Sequence, residues 1–142
     1  MYYIRENNGL VKETCFPYVA RNTPCHKKCK DGKDWKSAHI CNCVKYKRCH
    51  GVSGMKECLQ SGPATFGFRV ERSFMAYKDG IYKCRGAPIV GGHAVLAMGL
   101  FEKPECHYYV KNSWGSRWGL KGYFKFACGT CRMDGGVACT KF

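Results

Sequence analysis

Two short apolar runs in the last third of the chain limit what it can fold into more than any other feature. Ala94 to Phe101 is apolar along most of its length and ends near Lys103-Pro104-Glu105, a turn signal, and His107 to Lys111 is a second run rich in Tyr and Val. Such runs on either side of a turn read as a β-hairpin. A hairpin brings the residue before its first strand close to the residue after its second, so His93 and Asn112 are predicted at the same open end. An Asn side-chain oxygen accepting from Nδ1–H there would hold the imidazole in one tautomer without adding charge, which is what a general base needs. Trp114 is placed to roof that hydrogen bond and exclude water. A lone His and a lone Asn would more simply cap a strand and start a turn. The residues around this pair argue against that plainer reading.

Near the start stand Tyr2-Tyr3-Ile4, Asn8-Gly9-Leu10-Val11 and Cys15-Phe16-Pro17-Tyr18. Gly62-Pro63-Ala64, Phe74 and Tyr77-Lys78-Asp79-Gly80-Ile81-Tyr82 occupy the middle. Gly91-Gly92-His93 follows, then Asn112-Ser113-Trp114-Gly115, Trp118-Gly119 and Gly122-Tyr123-Phe124. In this order and spacing the chain resembles the C-terminal two thirds of a papain-family cysteine peptidase, and within that family it is most similar to cathepsin B, whose doubled glycine before the His it shares. The resemblance implies an α+β class: a fragment of the papain-like fold, mainly its antiparallel β-rich C-terminal lobe, with short helices and several disulfides. It implies that His93 is the catalytic base, Asn112 its orienting partner and Trp114 the shielding indole, with Gly92, Ala94 and Gly136 at the substrate pocket. The acidic residue that lets cathepsin B accept a basic side chain would fall near Gly136, so the pocket floor is expected to be neutral and to favour apolar side chains over Arg. The stretch between Cys15 and Cys29 is too short for the occluding loop of cathepsin B and offers only His26. Endopeptidase action is therefore expected rather than dipeptidyl carboxypeptidase action.

The departures matter equally. In the family the nucleophile opens a long buried helix in a Cys-Gly-Ser-Cys-Trp-like segment, with an oxyanion-hole Gln a few residues earlier. None of the twelve cysteines here lies in such a segment, and both groups are expected upstream of Met1. A thiolate becomes reactive near neutral pH only beside a helix N-terminus or an imidazolium. Because triad members act as a unit, the chain alone is expected not to cleave peptides. The leading reading is thus a cysteine peptidase chain that supplies the His and Asn and is completed by a nucleophile-bearing part, with a peptide or protein as substrate. The alternative is a non-catalytic relic of the fold that serves as a structural or binding subunit, its exposed lobe face covered by a protein partner. A metal-stabilised basic module that binds polyanions is a third.

A chain of 142 residues is long enough to bury one core. No apolar run approaches the roughly 18 residues of a membrane span, and residues 1 to 8 lack the apolar region of a signal peptide. Twelve cysteines nevertheless argue for an oxidising compartment, and the resemblance implies a lysosomal, vacuolar or secreted location. A signal, propeptide and N-terminal lobe preceding this stretch would reconcile the two. By the same resemblance Cys15 pairs with Cys29, the equivalent of Cys25 bonds upstream, and Cys84 pairs with Cys131 in preference to Cys128. Partners for Cys41, Cys43, Cys49, Cys58, Cys106 and Cys139 stay open.

The whole chain, 1–142, is read as one partial peptidase domain. Residues 1–20 read as a short helix and turn, and 21–52 as a Cys- and Lys-rich segment that must be stapled because it cannot hide apolar surface. A helix is expected over 53–60 and a helical turn over 71–77. Strands are expected over 64–70, 81–83, 94–101, 108–111 and 122–127, all but the helix lying in a β-rich lobe over 62–142. His26, His39 and His50 beside the cysteines raise the possibility of zinc, but no Cys-x-x-Cys pair repeats there, so disulfides are preferred and no metal or cofactor is expected. Cys128-Gly129-Thr130-Cys131 lacks a βαβ context for redox work and reads as two separate bridges. The formal charge of +14 is concentrated at Lys27, Lys28, Lys30, Lys33, Lys36, Lys45, Lys47 and Arg48. With few aromatics interleaved, this reads as a solvated face, and nucleic acid is not expected as a partner.

Overall fold

The computed structural model describes residues 6, 7, 9–38, 45–133 and 137–141. They divide into two compact units, Met1–Lys45 and Tyr46–Lys141.

In the smaller unit, Cys15 is bonded to Cys29 with their Cα atoms 4.3 Å apart. The bridge is reinforced by main-chain bonds, Lys30 N–H to Cys15 O at 3.0 Å and Cys29 N–H to Lys33 O at 2.7 Å. A 3-10 turn covers Trp35–Ala38. Of the short helix and following turn expected over 1–20, Glu6 is helical and 9–20 are turns and loop, while residues 1–5 and 8 lie outside the described residues. The amides of Cys15 and Phe16 both bond back to Lys12 O, which closes a single turn, and Pro17 and the Cys15 bridge stop it from continuing.

The larger unit carries seven strands: β1 Lys45–Cys49, β2 Ala64–Glu71, β3 Ile81–Tyr82, β4 Ile89–Phe101, β5 His107–Lys111, β6 Tyr123–Ala127 and β7 Val137–Lys141. They form one sheet in the order β1-β7-β2-β4-β5-β6-β3. The β2-β4, β4-β5 and β5-β6 pairs are antiparallel, and the edge pair β3-β6 is parallel. The period-2 geometry of a strand sends alternate side chains to opposite faces, and β2 obeys it, burying Ala64, Phe66, Phe68 and Val70. Val95 and Ala97 of β4, Tyr108 and Val110 of β5, and Phe124 and Phe126 of β6 join them in one core. The helix among the described residues of this unit, α1 Gly51–Leu59, buries Met55 and Cys58, three residues apart and so on one face. It packs against β7, β4 and β2. Glu71 and the 3-10 turn Arg72–Ala76 lead out of β2 and place Phe74, fully buried, among the aromatic rings.

Three disulfides staple this unit. Cys58–Cys139 ties α1 to β7, Cys84–Cys131 ties the chain after β3 to the chain after β6, and Cys106–Cys128 closes the far end of β5 and β6. Cys128 and Cys131 thus serve separate bridges. Two strands were not expected, and a third is longer than expected. β1 lies within the segment read as irregular, and β7 adds a neighbour to β2 through Ala64 opposite Cys139 and Thr65 opposite Ala138. β4 is longer than expected because Gly91 and Gly92 pair with Val70 and Arg69.

Candidate active site

The register of the sheet puts His93 directly opposite Phe68 and Val95 opposite Phe66. Counting by twos along β4, His93 shares the core-facing side with Val95 and Ala97, at the point where that side runs out into solvent. Its ring meets Phe68 edge-on, with centroids 5.9 Å apart at 70°. Asn112 follows β5 immediately and is 8% exposed. Its amide donates to Gly122 O at 2.9 Å, which ties the end of β5 to the loop before β6.

The two side chains meet: His93 Nε2 and Asn112 Oδ1 are 2.8 Å apart. Asn112 Oδ1 also accepts from the Ser113 amide at 2.8 Å. The Ser113 amide can only donate, so the atom it faces is the side-chain oxygen and the orientation of the amide is fixed by its surroundings. An acceptor at Nε2 requires the proton there, which leaves Nδ1 with its lone pair free in the neutral ring. The sequence-based expectation had the Asn accepting from Nδ1–H. The structure uses the other nitrogen, because Asn112 approaches from the Nε2 edge of the ring. The buried Asn112 Nδ2 has no hydrogen-bond partner among the described residues.

Trp114 lies over the imidazole, with centroids 4.8 Å apart and planes 27° from parallel. It is held from behind by Trp118, edge-on at 5.0 Å, and by Phe74 at 5.5 Å. Trp118 is anchored in turn by its indole N–H donating to Met75 O at 3.1 Å. The turn between Trp114 and Asn112's partner Gly122 is closed by Gly122 N–H to Trp118 O at 2.8 Å. Phe68, Phe74 and Trp118 were assigned no part in the site from sequence, and each supports it. The strand register and the short spacing of Trp114 and Trp118 are the signals that carry them.

Gly92 and Ala94 flank His93 on β4 and are exposed. A Cβ on Gly92 would meet nothing within 4 Å, on the face of β4 opposite to the His93 ring. Gly136 lies outside the described residues, as do Cys41, Cys43 and His39. In this unit the free cysteine is Cys49, which is buried with Cys58 and Cys139 at the Ala64 end of β2. From there to Phe68, opposite His93, is roughly 13 Å of strand at about 3.3 Å per residue.

The chain is similar to known proteins. The model of the papain family cysteine proteases matches residues 1–140. Pro-cathepsin H of Mus musculus is 33% identical over 144 residues, covering 99% of this chain and 42% of that protein. Cathepsin B-like CP2 of Giardia intestinalis is 33% identical over 130 residues, covering 85% of this chain and 42% of that protein. Among solved structures, the digestive procathepsin L2 proteinase from Tenebrio molitor larval midgut superposes with a TM-score of 0.80 at 26% identity, over 99% of this chain and 45% of that one. The chain therefore spans 42% of the length of either of these curated relatives. No helix among the described residues is long and apolar enough to cross a membrane.

Proposed function

Because the chain belongs to the papain family of cysteine proteases, we propose that His93 and Asn112 are the acid–base half of a peptide-hydrolysing site. The observation that carries this is the 2.8 Å contact from His93 Nε2 to Asn112 Oδ1 beneath the Trp114 indole. Asn112 holds the proton on Nε2, and Nδ1 faces the chemistry. The nucleophile and the oxyanion-hole Gln come from a stretch bearing the family's Cys-Gly-Ser-Cys-Trp-like segment, which these residues do not contain.

Nδ1 takes the thiol proton, and the thiolate attacks the peptide carbonyl carbon. The protonated ring then gives that proton to the departing amine, leaving a thioester. Water attacks the thioester, its proton passes to Nδ1, and the carboxylate product leaves as the thiol is restored. Trp114 keeps bulk water from competing for the Nε2–H bond. Gly92 and Ala94, which flank His93 on β4, border the substrate, and an apolar substrate side chain is favoured over Arg. The reaction is that of an endopeptidase, in a lysosomal, vacuolar or secreted setting consistent with the disulfides.

The test compares the 142-residue chain with the same chain joined to a nucleophile-bearing segment, on a fluorogenic dipeptide amide. The chain alone is expected to be inactive and the completed protein active, blocked by a thiol alkylator and reduced by roughly 10²–10⁴-fold in His93→Ala. Alkylator-sensitive turnover by the chain alone would overturn the need for an outside nucleophile. Inactivity of the completed, folded protein would move the reading to a non-catalytic binding subunit.

A further inference from the structure

Three sulfur atoms crowd one buried corner of the larger unit, where only one disulfide can form. Cys49 at the end of β1, Cys58 in α1 and Cys139 in β7 are 5%, 0% and 3% exposed. Their Sγ atoms all lie within 4.8 Å of one another. Cys58 and Cys139 are bonded, and Cys49 is a free thiol whose Sγ is 2.8 Å from that of Cys58. Disulfides exchange when a thiolate reaches one of their sulfurs, through a direct sulfur–sulfur contact of this kind.

We propose that this cluster is an internal thiol–disulfide exchange site, in which Cys49 displaces Cys139 from Cys58. The Cys49 thiol loses its proton, and a lone pair on its sulfur forms the new bond to Cys58 Sγ. The Cys58–Cys139 bond breaks with its electron pair on Cys139 Sγ, which takes up a proton. One disulfide and one thiol are present before and after, so no outside oxidant or reductant is needed. Burial of all three sulfurs keeps bulk thiols out and confines the exchange to the cluster.

The two pairings do different work. Cys58–Cys139 closes a separation of 81 residues and fastens the last strand covalently to α1. Cys49–Cys58 closes only 9 residues and leaves β7 held by its ladder to β2 and β1 and by packing. Longer closed loops restrict the unfolded chain more, so the observed pairing is the stabilising one. The exchange releases the covalent latch on β7 without removing the strand from the sheet.

Peptide mapping without reduction tests this on the full-length protein, quenched in acid and alkylated on unfolding. Trypsin cuts after Lys56, between Cys49 and Cys58, so their linkage appears as a cross-linked pair of peptides. Wild type is expected to give Cys58–Cys139 with alkylated Cys49 and, as a second species, Cys49–Cys58 with alkylated Cys139. Cys49→Ser is expected to abolish the second species and keep the first. Cys139→Ser is expected to hold Cys49–Cys58 with no alkylated cysteine in the cluster. A single pairing in wild type would overturn the proposal. So would three alkylated thiols there, with or without a bound metal ion, or two in a folded Cys139→Ser. If Cys139→Ser fails to fold, the comparison of wild type with Cys49→Ser decides.

Discussion

Asn112 Oδ1 accepts from both His93 Nε2 and the Ser113 amide, each at 2.8 Å, so one oxygen fixes the tautomer of the ring and its own orientation together. Asn112→Ala in the completed protein removes the partner that keeps the proton on Nε2. A hydrogen bond of this kind contributes about 1–3 kcal/mol. The expected result is a fall in kcat of roughly 10- to 100-fold, with kcat/KM falling equally and KM unmoved, as for an interaction that matters only in the transition state. Steady-state kinetics on a dipeptide amide checks it. A rise in KM with kcat unchanged would instead assign Asn112 to ground-state substrate binding.

Phe74 is the hub behind the site. It is fully buried and touches Phe68 at 5.2 Å, Tyr82 at 4.9 Å, Phe124 at 4.9 Å, Trp118 at 5.0 Å and Trp114 at 5.5 Å between centroids. Phe74→Ala removes transfer energy and leaves a cavity, at a cost of about 3–5 kcal/mol. Urea unfolding checks the loss, and a cost under about 1 kcal/mol would show that the surrounding rings collapse to fill the space. Since Trp114 leans on the same ring, activity of the completed protein is expected to fall with stability.

The pairing of His93 with Asn112 was legible because a hairpin needs only local signals: two apolar runs, a turn between them, and the residues at its mouth. The ring nitrogen was not legible, since spacing along the chain says nothing about which edge of an imidazole a partner reaches. β2 and β6 announce themselves by alternating Phe with smaller or polar residues. β1 reads Lys45-Tyr46-Lys47-Arg48-Cys49, and its charges mask a strand that exists because β7 lies beside it. That neighbour is far away in sequence, so no local window contains the reason for the strand. The Cys58–Cys139 bridge was hidden for the same reason, its separation being 81 residues.

Tyr108 carries a cost the fold tolerates. It is fully buried, its hydroxyl has no hydrogen-bond partner among the described residues, and burial pushes its pKa up to about 12. Unfolding returns the phenol to its ordinary value of about 10. Above that value the unfolded chain loses a proton that the folded chain keeps, so the unfolded state binds fewer protons and stability falls as pH rises. The decline is expected between about pH 10 and the folded value of about 12. Tyr108→Phe removes the unpartnered hydroxyl. It is expected to leave neutral-pH stability unchanged or raised by about 1 kcal/mol, and to flatten the alkaline decline. Chemical denaturation at pH 7 and pH 11 checks both. Destabilisation by more than about 1 kcal/mol at pH 7 would mean that the hydroxyl has a partner after all.

Gly119 sits in the turn that carries Trp118, with φ at +55°. A Cβ there would lie 2.6 Å from Tyr123 O and 3.2 Å from a ring carbon of Tyr77. Gly80, at φ +83°, is left-handed too, but a Cβ on it would meet nothing within 4 Å. The two positions separate backbone strain from collision. Gly80→Ala is expected to cost only the left-handed penalty of about 1–2 kcal/mol. Gly119→Ala adds a clash with main-chain oxygen, which cannot swing aside as a side chain does, so its cost is expected to exceed that of Gly80→Ala by at least about 1 kcal/mol. Relieving the clash moves the 118–123 turn, which shifts Trp118 against Trp114 and loosens the cover over His93. Unfolding midpoints for the two variants, read with the kcat of the completed enzyme, test this chain of contacts. Equal costs at the two glycines would show that the turn yields freely. Unchanged kcat in a destabilised Gly119→Ala would separate the turn from the site.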